Sequence, residues 1–103
     1  MSNVNQIDAD QLPDWLQVTP EHAVVTLTKP SMVNGIKVDT ITMRSPTLKE
    51  SRDSNEAHPK DENAAEMMLF TGLCTAGKAD LEALSVKDYV RLQRGYFRLV
   101  TED

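Results

Sequence analysis

Two histidines, His22 and His58, and one cysteine, Cys74, are the side chains of this sequence best suited to nucleophilic or metal chemistry. A metal site needs ligands at short repeated spacings, such as CxxC, HxxxH or HExxH, because the ion must be reached by several donors at once. No such spacing joins these three. Cys74 closes an apolar run and reads as a small buried hydrophobe rather than a nucleophile. Asp61, Glu62 and Glu66 could share a helix face, but acidic side chains at a helix start are already explained by the dipole. Asp8, Asp10 and Asp14 have the content of a calcium loop but lack its turn glycine and its closing bidentate glutamate. The four glycines are scattered, so no phosphate-cradling loop is present. Four cations, Lys87, Arg91, Arg94 and Arg98, fall on one side of the last helical stretch and could touch phosphate. A solvated helix face explains them better in a chain of net charge −5. The sequence therefore predicts no enzyme, no metal and no cofactor.

Without a catalytic constellation, the elements themselves carry the information. At 103 residues the chain predicts one domain with one modest core. Aromatic residues are only 5%, which suggests that self-association or a partner supplies part of the stability. Residues 1–22 hold Asp8, Asp10, Asp14 and Glu21 and no Lys or Arg. They read as an acidic, partly disordered arm, with residues 1–11 the disordered part. Within it, Leu12-Pro13-Asp14-Trp15-Leu16 concentrates large apolar side chains. Trp15 and Leu16 either cover an edge of the chain's own core or dock onto another subunit or partner.

Residues 23–103 read as the folded domain. Val25 and Leu27 alternate with Val24, Thr26 and Thr28, a β-strand pattern ended by Pro30. Asn34-Gly35 supplies the positive-φ pair of a tight turn. Ile36 to Met43 is the return strand, whose alternation slips in a way that a bulge near Asp39-Thr40 would repair. The hairpin spans 23–44 and a helical part spans 47–100. Thr47 and Glu50 form a capping box for a short helix over 48–54. A second helix runs from Asp61 to Leu73, with Gly72 and Gly77 as its candidate stops. Met67, Met68, Leu69 and Phe70 are consecutive and cover most of its circumference, so this helix is either central or meets another chain. Two adjacent methionines favour an adaptable interface. Asp80 to Leu84 makes one turn. Ser85 and Asp88 form a second capping box for a last helix ending near Leu99, with Val86, Tyr89, Val90, Gln93 and Phe97 as its apolar stripe.

The predicted architecture is α+β: an N-terminal two-stranded antiparallel hairpin followed by a small bundle of three to four helices. The predicted core is Val25, Leu27, Ile41, Met43, Leu69, Leu73, Leu84, Tyr89, Val90 and Phe97. Met67, Met68, Phe70, Leu73, Trp15 and Leu16 are the candidate partner-binding residues. No apolar run is long enough to cross a membrane, no signal peptide is visible, and the lone cysteine suits a reducing cytoplasm.

The order of these pieces resembles a known family. Val25-Thr26-Leu27-Thr28-Lys29-Pro30, Val33-Asn34-Gly35 and Ile41-Thr42-Met43-Arg44-Ser45-Pro46-Thr47 look like the hairpin of tail assembly chaperones of contractile-tailed phages, the E-like and Mu-like group. Leu69-Phe70-Thr71-Gly72-Leu73 and Leu84-Ser85-Val86-Lys87-Asp88-Tyr89 match that group's later elements. The resemblance covers roughly residues 23–100. It implies a non-enzymatic chaperone that binds the tape measure protein and keeps it soluble during tail assembly. It also implies contact with tail tube protein, self-association, work in the host bacterial cytoplasm, and absence from the mature virion. Nucleic acid and membrane are not among the implied partners. Two other readings stand beside it: a minor structural protein of tail or baseplate, and a small nucleic-acid-binding regulator.

Overall fold

The alternating residues from His22 to Arg44 form two long antiparallel strands, and a short third strand joins them. The computed structural model describes residues 12–101. Strand β1 is Leu16–Val18, β2 is His22–Val33 and β3 is Ile36–Arg44, in sheet order β1-β2-β3. The helices are α1 (Leu48–Ala57), α2 (Glu62–Cys74), α3 (Lys78–Glu82) and α4 (Val86–Val100). Among the described residues the fold is thus α+β with four helices, but the sheet has three strands rather than the two predicted. Leu16 pairs with Val25 and is buried, so the end of the predicted acidic arm is built into the sheet. The disorder expected for residues 1–11 lies outside the described residues.

The turn forms as predicted, with Asn34 at φ 55 and Gly35 at φ 79. Pro30 does not end β2, which continues to Val33. The irregularity does fall opposite Asp39, but on the other strand. Thr26 pairs with Thr40 and Ser31 with Val38, so Leu27 to Pro30 of β2 face only Asp39 of β3. Extra residues there release Thr28 from the ladder. Its amide donates instead to Asp88 of α4.

One face of the sheet is apolar: Leu16, Ala23, Val25, Leu27, Ile41 and Met43 are all buried. Helix α4 lies over β1 and β2, and α2 packs on α1 and β3. Gly95 permits the close approach of α4. A Cβ there would stand 3.1 Å from Val25 Cγ2 and 3.3 Å from Leu16 Cδ1. Phe70 fills the middle of the core, with its ring 5.7 Å from Tyr89 and 5.2 Å from Tyr96.

Several boundaries depart from the sequence reading. Helix α1 runs on to Ala57, past the predicted end at 54. Neither Gly72 nor Gly77 stops α2. Gly72 is helical, and the stop is Thr75 in the left-handed region at φ 51. The Asn34 side chain donates to the Thr75 carbonyl at 2.8 Å, and the Asn34 amide donates to Asp80 at 3.1 Å. These bonds tie the hairpin tip to the α2–α3 connection. The Thr47–Glu50 capping box forms as read. The Ser85–Asp88 box is only half made: Ser85 caps the Asp88 amide, while the Asp88 carboxylate turns to Thr28.

The predicted core holds for Val25, Leu27, Ile41, Met43, Leu69, Leu73 and Leu84. Tyr89 is half-buried, while Val90 and Phe97 are exposed and are corrections. Asp88, Leu92 and Gly95 form the inward face of α4. At 100° per residue that face lies roughly 150° from the centre of the predicted stripe, close to the opposite side. The physical cause is that a small residue is needed against the sheet and a carboxylate is needed by the freed Thr28 amide. Hydrophobicity alone signals neither need.

Candidate partner-binding surface

The motif residues act first on the fold. Arg44, at the end of β3, forms a two-pronged ion pair with Glu50, one arm measuring 2.8 Å. Glu50 also accepts from the Thr47 amide at 2.9 Å. The arginine and the N-cap threonine on either side of Pro46 thereby clamp the strand-to-helix corner. The arginine and, next to it, the Thr47 amide hold the Glu50 carboxyl down at about 2. Leu69, Phe70 and Leu73 are core. Asp88 is 1% exposed and accepts from the Thr28 amide at 2.7 Å and the Thr28 hydroxyl at 3.0 Å. Tyr89 donates its hydroxyl to Glu66 at 2.7 Å, and Gln93 donates to the same oxygen at 2.9 Å. Burial and the Glu66 carboxylate push the Tyr89 phenol up from its ordinary value.

An exposed apolar surface arises elsewhere, because turning Asp88, Leu92 and Gly95 inward turns apolar side chains outward. Phe97 is 62% exposed, Val86 81% and Val90 37%. Between α4 and the segment before β1 runs an open groove of about 420 Å³. Leu12, Pro13, Trp15 and Leu16 form one wall, and Val90, Gln93 and Phe97 form the other. Arg94 and Arg98 also line it. Trp15 is fixed rather than loose. Its carbonyl accepts from the Thr26 amide at 2.8 Å, and the Arg91 guanidinium sits 4.8 Å from its ring centroid. Arg91 also donates to the Thr26 carbonyl at 2.7 Å. This arginine is therefore committed to the fold, which weakens a phosphate-binding role for the basic face. On the other side of α4 a shallower cleft of about 280 Å³ is lined by Met67, Leu81, Leu84, Val86 and Tyr89. Gln93 borders both.

The six candidate binding residues separate accordingly. Trp15 and Leu16 line the groove, Leu16 with its body in the core. Met67 lines the second cleft. Met68 is exposed, beside His58, Ala64 and Thr71. Phe70 and Leu73 are within the core at 0% and 2% exposure. Val90 and Phe97, which their place in the apolar stripe predicts to be core, line the groove instead. The signal that could have found them is that α4 carries more apolar residues than one face can hold.

Among the described residues no group of three or more His, Cys, Asp or Glu could hold a metal ion. His22 opens β2, His58 caps α1 and Cys74 ends α2, so three separate elements carry the three candidates for chemistry. Burial pushes the Cys74 thiol up to about 12, away from nucleophilic use. No described helix is long and apolar enough to cross a membrane.

A sequence model of the family described as "Phage tail assembly chaperone proteins, E, or 41 or 14" matches residues 24–101. The chain belongs to this family. No curated protein and no solved structure matches it at the significance required. The match covers the hairpin from Val24 onward and the four described helices of this chaperone, and begins after β1. The wall of the groove made by Leu12, Pro13, Trp15 and Leu16 thus lies outside the matched span, while the wall made by α4 lies inside it. Membership assigns a role in tail assembly and is consistent with phage tail partners.

Proposed function

We propose that this chaperone is a non-enzymatic holder of the tape measure protein, keeping that chain soluble in the host cytoplasm while the tail assembles. Family membership over residues 24–101 is the observation that carries the reading. The exposed apolar side chains give it a physical means. A long helical client presents apolar stripes, which seat in a groove as side-chain anchors three or four residues apart. The groove between Trp15 and Phe97 is the seat on one side of α4. Met67 and Met68 offer adaptable contacts on the other. Each contact is weak, so self-association would array copies along one client and multiply their hold. The copies leave before the virion is complete, and contact with tail tube protein accompanies their displacement.

The test is co-expression with the tape measure protein. Phe97→Asp with Val90→Asp alters exposed residues and should leave the circular dichroism spectrum and unfolding midpoint near those of the parent. Client recovered in the soluble fraction should fall at least fivefold. Equal recovery from parent and variant would refute the groove as the client's seat. Replacing Phe70 would not serve, because losing a buried phenylalanine costs about 3–5 kcal/mol before any charge is added. Mass spectrometry of purified particles separates a chaperone from a minor tail or baseplate component, which would remain in them.

A further inference from the structure

We propose that residues 1–11 of this same chain occupy the groove between Trp15 and Phe97 when no client does. The inference rests on the reading of that groove as the client's seat and adds its regulation. Three observations carry it. Leu12 and Pro13 line the groove, so residues 1–11 are covalently joined to the chain at the groove itself. The lining is mainly apolar and includes Arg94 and Arg98. Residues 1–11 carry the complementary pattern: Val4 and Ile7 three positions apart, then Asp8 and Asp10, with no Lys or Arg. Reach is ample. The groove runs along α4 from Val90 to Phe97, roughly 10 Å at 1.5 Å per residue, and eleven residues span about 16 Å even if helical.

Charge and tether act together. Asp8 and Asp10 beside these arginines favour this segment over an uncharged one of the same apolar content. Attachment at Leu12 makes docking intramolecular, so even a weak contact is well populated at the high local concentration. The segment then competes with the client for Phe97 and Val90. If it fills the groove nine-tenths of the time, apparent client affinity falls about tenfold. Such a segment covers an exposed apolar face until a better ligand displaces it.

The experiment uses the full chain with a nitroxide on Ser2→Cys in a Cys74→Ala background, read by proton and carbon NMR. The Val90 methyl and Phe97 ring signals should broaden, and Val4→Asp with Ile7→Asp should restore them. The same double variant should hold equal amounts of tape measure protein in solution at several-fold lower chaperone concentration. Unbroadened Val90 and Phe97 signals overturn the docking and leave the client reading standing. Broadening seen only when labelled and isotope-enriched copies are mixed overturns docking within one chain and assigns the groove to a second copy. Docking without any gain in client capture by the double variant overturns the competition. A Phe97→Asp chain that still holds the client would show that the client seat, rather than the docking, was misassigned.

Discussion

Replacing Asp88 by alanine should destabilise the fold by about 2–4 kcal/mol. The carboxylate is 1% exposed and accepts two hydrogen bonds, at 2.7 Å from the Thr28 amide and 3.0 Å from the Thr28 hydroxyl. Hydrogen bonds to charged groups contribute about 1.5–3 kcal/mol each. The pair would give more if both were deeply buried, but Thr28 itself is exposed and water can replace part of what is lost. Asp88 also lies in the first turn of α4, where negative charge adds about 0.3–1 kcal/mol. Against a total stability of order 5–15 kcal/mol, the loss is large. In urea, with a slope of about 1.5 kcal/mol/M for a domain of this size, the midpoint should drop by about 1.3–2.7 M. Asp88→Asn keeps one acceptor oxygen for the amide and should cost about 1 kcal/mol. Thr28→Val removes only the hydroxyl, and the cycle between Thr28→Val and Asp88→Ala should show a coupling of about 1 kcal/mol. A loss below about 1 kcal/mol for Asp88→Ala, or zero coupling, would refute the argument that α4 is oriented by this carboxylate.

Three other outcomes follow from the same contacts. Gly95→Val should cost about 2–3 kcal/mol by overpacking against Val25 and Leu16, measurable by thermal unfolding, whereas Gly95→Ala should be milder because helix propensity gains about 1 kcal/mol in return. The Glu50 carboxyl, held at about 2 by Arg44 and Thr47, is depressed from 4.5, so its contribution is full above pH 4.5 and is lost as pH falls toward 2. Glu50→Gln should flatten that acid limb of the stability profile, and an unchanged limb would contradict the assignment. Cys74, pushed up to about 12 by burial, should react with a disulfide reagent at pH 8 far more slowly in the native protein than in denaturant. Equal rates would show that the thiol is open.

Much of the fold could be read from local chemistry. The β-branched alternation of residues 23–28, the Asn34-Gly35 turn and the Thr47–Glu50 box each act over a few residues, and each appears as expected. The order of the hairpin motifs with Leu69–Leu73 and Leu84–Tyr89 resembles the family, and the match over residues 24–101 shows it. Strand β1 was missed because three residues, Leu16–Val18, show no period of their own and gain their conformation only by pairing with Ala23–Val25. Pro30 does not end the strand because the irregular stretch of β2 tolerates a missing donor.

The candidate surface belonged almost wholly to tertiary structure. In sequence, Val90 and Phe97 look like core and Asp88 like a cap, since each assignment follows from hydrophobicity or from spacing along one helix. What decided otherwise was long-range: a sheet that leaves room for only a small residue at position 95, and a strand irregularity that leaves the Thr28 amide seeking an acceptor on another element. The sequence alone determined which local elements form and that no catalytic spacing joins them, because those depend on neighbours in the chain. Only the packed structure decided which face of α4 points outward, because that depends on steric room and hydrogen-bond satisfaction between residues about sixty positions apart.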